Sequence, residues 1–251
     1  MEWQAELEMA VCAAKAAGDK LKELQNGCLD IISEYGKDIK LGADREAESM
    51  IIQTLTSNSR YPVLAEESGE HGKIDGDEPV WIIDPLDGTF NYSRNIPLCC
   101  VSIALWKGKR PILGVINNFN TGEIYTGIVG VGAWCNDKMI SVSQIQKEEA
   151  AVLVTGFPVN RDFGQDSLMS SISQIKSFKK IRMLGTAALS LAYVACGYAD
   201  TYIEENIMFW DVAAGIALVE AAGGWISFKD SVNKKWAKDV ICSSFRIDSS
   251  K

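Results

Sequence analysis

Residues 81–94 read Trp-Ile-Ile-Asp-Pro-Leu-Asp-Gly-Thr-Phe-Asn-Tyr-Ser-Arg, and both fold and chemistry turn on this stretch. Val80 to Ile83 is a short apolar, β-prone run, the pattern of a buried strand. Pro85 has no N–H for a sheet ladder, so the strand is expected to stop at Asp84. Asp84 and Asp87 follow three residues apart, and Gly88-Thr89 then open a helix. Two carboxylates at a strand end, beside a helix N-terminus, suit hard cations and an oxyanion together. That is the pairing metal-assisted phosphate chemistry needs. Taken alone, the two acids also read as a turn cap and a helix cap with no chemistry.

Upstream, Val63-Leu64-Ala65 is a short strand ending at Glu66-Glu67-Ser68. Ala43 to Leu55 reads as a helix, with Asp44 near its start as a first-turn or N-cap residue. Residues 2–25 form an amphipathic helix in which Trp3, Leu7, Val11, Ala14, Leu21 and Leu24 share a face. Asn26-Gly27 is its stop, and Cys28 to Lys40 stays open between strand and loop. Gly69 to Glu78 is polar, glycine-rich and acidic, which predicts a surface loop carrying His71 as an exposed residue.

Downstream the pattern is a meander, with strands over Cys99 to Trp106, Ile112 to Asn117, Glu123 to Ile128 and Met139 to Val142. After about residue 150 strands and helices alternate: strand Ala151 to Thr155, helix Asp166 to Phe178, strand Lys180 to Met183 and helix Thr186 to Cys196. Strand Asp200 to Glu204, helix Asp211 to Ala222 and strands near Trp225 to Phe228 and Val240 to Ser243 complete it. The expected fold class is α+β: a layered α/β/α/β/α sandwich over residues 1–251. Its N-terminal half carries an antiparallel sheet and two helices, and its C-terminal half alternates α and β. The lobes, about 1–150 and 151–251, are expected to share one core as a single domain.

A formal charge of −8 argues against nucleic acid or an anionic membrane as the main partner. With 47% hydrophobic and 23% charged residues, the composition is that of an ordinary globular protein. Seven cysteines without a C-x-x-C pair read as reduced thiols in a cytoplasmic protein. A single histidine excludes His-rich binuclear sites and the H-E-x-x-H zinc motif, so the chemistry rests on carboxylates.

The 81–94 stretch resembles the signature of the inositol monophosphatase family, Mg²⁺-dependent and Li⁺-sensitive phosphatases. Two further elements match in order: Glu66-Glu67-Ser68 upstream, and Trp210-Asp211 with Ala213 and Gly215 downstream. The resemblance implies that Glu66, Asp84 and the Leu86 carbonyl hold one Mg²⁺, and that Asp84, Asp87 and Asp211 hold a second. Glu66 with waters would hold a weak third. It implies that one ion activates the attacking water while another stabilises the leaving alkoxide. Thr89 would bond that water, Asp44 would accept from Thr89, and Glu67 would support the site. Gly88 and Thr89 N–H groups would bind phosphate oxygens. Gly185-Thr186-Ala187 and Glu204 would face the substrate's hydroxyls, although Thr186 also reads as an N-cap and Glu204 as a strand-end acid. The family also implies a homodimer and a small phosphorylated polyol or sugar as substrate, without a phosphoenzyme.

Two departures from the family pattern bear on the substrate. Leu41 stands where many members have threonine, and Glu205 to Phe209 lacks the Gly-Ile-His of animal inositol phosphatases. Within the superfamily the rivals are 3′-phosphoadenosine 5′-phosphate nucleotidase, disfavoured by Phe90-Asn91-Tyr92, and fructose-1,6-bisphosphatase. The haloacid-dehalogenase motif needs acids two apart and is set aside. A silent binding protein on the same fold would be expected to lack a ligand, and here all four acids and Thr89 are present.

Overall fold

Alanine, rather than the larger apolar residues, makes the contact face of the first helix. In a computed structural model, residues 2–25, 31–35, 38–74, 78–157, 163–232 and 234–247 are described; of 31–35, 38–41, 171 and 174 only the backbone is. Helix α1 (Gln4–Gln25) buries Leu7, Ala10, Ala13, Ala14, Ala17, Gly18 and Leu21. Trp3, Val11 and Leu24 of the predicted stripe are only partly covered. The small face permits close approach: a Cβ on Gly18 would lie 2.5 Å from Asn117 Nδ2. The predicted Asn26-Gly27 stop and Cys28 lie outside the described residues.

The ambiguous segment contains the antiparallel strands β1 (Ile31–Tyr35) and β2 (Asp38–Leu41), followed by helix α2 (Gly42–Asn58). An eight-stranded sheet follows. It comprises β3 (Val63–Ala65), β4 (Gly69–His71), β5 (Pro79–Asp87), β6 (Cys100–Lys107), β7 (Arg110–Asn118), β8 (Glu123–Ile128), β9 (Gly132–Cys135) and β10 (Lys138–Ile140), with the short helix α3 (Thr89–Ser93) between β5 and β6. The order is β10-β9-β8-β7-β6-β5-β3-β4, antiparallel throughout except for the parallel β3–β5 pair. Sequence patterning missed β9, which pairs with β10 across a turn where Asn136 takes a left-handed φ of 52°. It also took β4 for loop. His71 is half-buried there, in the edge strand, with Nε2 2.5 Å from Ser68 Oγ. Residues 75–77 of the predicted loop lie outside the described residues.

The C-terminal half holds β11 (Val152–Thr155), α4 (Gln165–Ile175), β12 (Lys180–Arg182), α5 (Ala187–Ala195), β13 (Thr201–Met208), α6 (Phe209–Ala221), β14 (Trp225–Asp230) and β15 (Ala237–Ser243). Its five strands run in the order β12-β11-β13-β15-β14. Three apolar clusters separate the layers. One lies between α1, α2 and the large sheet, and a second between the two sheets around α5 and α6. The third lies on the outer face of the small sheet, where Ile175 of α4 packs. This is the expected α/β/α/β/α layering, and it places α5 and α6 at the centre. Both helices are apolar nearly all round, as helices covered on every side must be.

Glycines let the central layer close up. A Cβ on Gly114 would stand 2.3 Å from the Ala214 carbonyl oxygen of α6, and one on Gly215 would stand 2.3 Å from Leu191 Cβ of α5. Gly114→Ala is therefore expected to force sheet and helix backbones apart. The cost is about 3 kcal/mol, the upper end for overpacking, or a fall of roughly 6–12 °C in the unfolding midpoint. Thermal unfolding followed by circular dichroism checks this, and a shift under 2 °C would contradict the close contact.

Pro85 does not end its strand. Asp84 pairs with Ser102 and Asp87 with Cys100, three steps along β5 against two along β6. The extra residue is a β-bulge, a place where a sheet tolerates proline. The bulge also decides where the acids point. Along a regular strand, residues three apart face opposite sides. Here Ile82 packs between the sheets while Trp81, Ile83 and Leu86 pack toward α1 and α2. The inserted residue restores parity, so Asp84 and Asp87 both face the central layer. A second bulge, between Glu204 and Ile207, carries β13 past its predicted end at Glu204 to Met208.

Candidate active site

Four elements bring the acids together. Glu66 follows β3, its N–H donating to the Ile83 carbonyl at 3.3 Å, so the parallel pairing with β5 extends to its backbone. Asp84 sits at the bulge, with the Leu86 N–H donating to its Oδ1 at 2.9 Å. Asp211 lies in the first turn of α6, and Ser102, the cross-strand partner of Asp84, donates to the Trp210 carbonyl at 3.5 Å. Carboxylate oxygens of Glu66, Asp84 and Asp211 all lie within 4.8 Å of one another. Asp84 is buried, and the other two are partly so.

Such a cluster is costly without a counter-charge. Burial, then the charges of Glu66, Asp87 and Asp211, pushes the Asp84 carboxyl well above its usual range. Asp211 is raised likewise by burial, Glu66, Asp87 and Glu204. An all-oxygen, mutually repelling donor set fits a hard divalent cation.

Asp87 is not one of the three that meet within that distance. Its Oδ2 accepts from the Thr186 hydroxyl, from the Ala188 N–H at 2.7 Å and, at 4.0 Å, from the Cys100 thiol. Burial raises its carboxyl to about 6, while the Thr186 hydroxyl and the Ala188, Ala187 and Gly88 amides hold it down. Thr186 is thus the N-cap of α5, its oxygen accepting from the Leu189 N–H, and at the same time a donor to Asp87.

Gly88 takes a left-handed φ of 88°, and a Cβ there would lie 2.8 Å from the Leu98 carbonyl oxygen, so glycine is required. Thr89 starts α3, but its hydroxyl donates to the Leu86 carbonyl at 3.0 Å. A hydroxyl has one proton, so the expected donation to Asp44 is not the arrangement seen. Asp44 is buried in the first turn of α2. Glu67 is half-buried, and its N–H donates to Glu48 Oε2 at 2.8 Å. Glu204 is buried, and a Cβ on Gly156 would stand 2.7 Å from its Oε1. It lies within β13 at the bulge, rather than at a strand end.

Sequence reading gave no role to Glu48, Cys100 or Ser102, and treated Asn91 as part of a motif only. Their contacts reach across 7 to 108 positions, and most of them leave no local signature. Among the described residues the six cysteines carry free thiols, and no helix is long and apolar enough to cross a membrane.

The inositol monophosphatase family model matches residues 2–244. The chain is 38% identical over 224 residues to the Nus factor SuhB of Xylella fastidiosa, covering 88% of this chain and 80% of that protein. It is 37% identical over 228 residues to an inositol-1-monophosphatase of Synechocystis, covering 89% and 79%. Among solved structures, the inositol monophosphatase from Anabaena superposes with a TM-score of 0.83 at 34% identity, covering 98% of this chain and 92% of that one. The extragenic suppressor protein suhB from Bartonella henselae gives 0.84 at 34% identity, covering 96% and 94%.

Proposed function

Since the chain belongs to the inositol monophosphatase family and is a phosphoric monoester hydrolase, we propose that it cleaves a small polyol or sugar monophosphate, inositol 1-phosphate or a close relative, with Mg²⁺. The observation that carries this reading is the meeting of Glu66, Asp84 and Asp211 oxygens within 4.8 Å beside Gly88-Thr89. Those three carboxylates, with the Leu86 carbonyl and Asp87, would hold two to three ions. Bound Mg²⁺ supplies Lewis-acid charge to the phosphoryl group and lowers the pKa of water.

The chain's own residues do the positioning. N–H groups of Gly88 and Thr89 take the phosphate oxygens, which fixes the ester relative to the acids. Released from the Leu86 carbonyl, the Thr89 hydroxyl accepts from the attacking water and donates its one proton to Asp44, buried at the start of α2. Glu67 supports the site, held from behind through Glu48. Glu204 accepts from substrate hydroxyls, as does the turn Gly185-Thr186-Ala187 through its polar groups. The same reading takes the protein as one catalytic unit spanning the chain, a cytoplasmic, Li⁺-sensitive homodimer without nucleic-acid or membrane partners.

Phosphate release tests it across inositol phosphates, hexose phosphates, fructose 1,6-bisphosphate and phosphoadenosine phosphate. The expected result is Mg²⁺-dependent release from a polyol or sugar monophosphate, abolished by chelator and restored by Mg²⁺. Release indifferent to chelator, or none from any ester, would overturn it.

A further inference from the structure

One side chain outside the set of acids ties the two sides of this site together. Asn91, on α3, is buried, and its Nδ2 donates to the Leu98 carbonyl at 2.7 Å and the Leu184 carbonyl at 2.8 Å. The Gly185 carbonyl stands 3.4 Å away. Both amide protons are therefore used, one on the segment leading into β6 and one on the turn leading into α5. Its main-chain carbonyl accepts from the Arg94 N–H at 3.1 Å and the Ile96 N–H at 2.9 Å, closing the end of α3.

The fit on the α5 side is close. Gly185 has a φ of +73°, and a Cβ there would meet Asn91 Nδ2 at 3.0 Å and Oδ1 at 3.2 Å. Thr186 follows it directly and Ala188 two residues later, and both donate to Asp87 Oδ2. A chain of contacts thus runs from α3 through the Asn91 amide to the 184–185 backbone, and from there to the Asp87 carboxylate.

We propose that Asn91 is a positioning residue of the site: by clamping Leu184-Gly185 onto α3 it sets where the start of α5 holds Asp87. This rests on the phosphatase reading above and adds a residue to it. The chemistry is specific to asparagine. Aspartate has the same shape but offers no donor, and turns a carboxylate toward carbonyl oxygens. Glutamine is one methylene too long for the space beside Gly185. Groups bonded to a metal ligand typically change metal affinity or activity 10- to 100-fold when removed; Thr186 is such a group, and Asn91, one contact further back, is expected at the lower end.

The test uses Asn91→Ala, Asn91→Asp, Thr186→Val and the Asn91→Ala/Thr186→Val pair. Mn²⁺ affinity is read by calorimetric titration of the full chain stripped of metal. Steady-state kinetics on the best phosphate ester give KM, kcat and the half-activating Mg²⁺ concentration. Asn91→Ala is expected to weaken Mn²⁺ binding about 10-fold and to raise the half-activating Mg²⁺ concentration and KM more than it lowers kcat. Asn91→Asp should be worse. The double variant should match Thr186→Val rather than multiply the two effects, because the contacts act in series. Lost folding alone would lower kcat with the active fraction and leave Mn²⁺ affinity per folded chain unchanged; that result overturns the proposal, as does full multiplication in the double variant. If the parent releases no phosphate but the Mn²⁺ affinities fall as stated, the phosphatase reading fails and the positioning role stands.

Discussion

Asp84→Asn is expected to lower Mg²⁺-dependent phosphate release by about 10³-fold, the several kcal/mol that metal charge contributes to such a transition state, while making the metal-free protein more stable. The two effects share one cause. Asp84 is buried among Glu66, Asp87 and Asp211, and its carboxyl is pushed well up by burial and by those charges. Replacing it with a neutral amide of the same shape relieves the repulsion and keeps an oxygen for the Leu86 N–H. The same change removes the charge at the centre of the donor set. Kinetics and thermal unfolding in chelator check both halves. Activity within 10-fold of the parent, or a lower midpoint without metal, would contradict the role given to this residue.

The second large effect is a pH dependence carried by Asp87. Its carboxyl is raised from 3.8 to about 6 in the fold, chiefly by burial. Below pH 4 the acid is protonated in folded and unfolded chains alike, and titration costs nothing. Between about 4 and 6 the unfolded chain gives up the proton and the folded chain keeps it. Stability therefore falls as pH rises, and the full penalty stands above pH 6. A shift of that size corresponds to about 3 kcal/mol at 1.36 kcal/mol per unit. Asp84 and Asp211 push in the same direction. Exposed Glu70 and Asp230, lowered by Lys235 and Lys238, oppose it weakly. Comparing Asp87→Asn with the parent isolates the residue. In chelator, urea unfolding should show the stability difference moving in favour of the variant by about 3 kcal/mol from pH 3 to pH 8. A difference constant across that range would mean that Asp87 is not held as described.

What the sequence revealed and what it hid follow from the range of each signal. Glu66, Asp84 and Asp211 were legible because the residues around them match the family's signature elements in order; locally each reads equally well as a cap or a solvated acid, and Asp84 lies inside β5 rather than at its end. The meander before residue 150 and the strand–helix alternation after it were legible from the change of period; their stacking into five layers was what the family resemblance implied. Pro85 was misread because the rule against proline holds for a regular ladder, and β5 carries a bulge there. The face of α1 was read only in part: Leu7, Ala14 and Leu21 are buried as expected, but Ala10, Ala13, Ala17 and Gly18 were passed over because size was taken for burial, and these small residues allow the helix to sit close to β7. His71 looked like loop because a three-residue edge strand has too few positions to show alternation. Asn91, Ser102 and Glu48 act on backbone groups far along the chain, and only the folded arrangement brings those groups to them.

Both bulges lie beside acids. One turns Asp84 and Asp87 to a common side, and the other follows Glu204, a charge that raises Asp211. A regular strand at the first would turn Asp87 into the apolar layer beneath α1 and α2, so that irregularity belongs to the site rather than to the scaffold.

Diffraction from crystals grown with Mn²⁺, recorded for its anomalous signal, tests the central claim most directly. The expected map has a peak bounded by the carboxylates of Glu66, Asp84 and Asp211 that vanishes in Asp84→Asn. A map with no peak among those three side chains at millimolar Mn²⁺, or one unchanged in the variant, would contradict it.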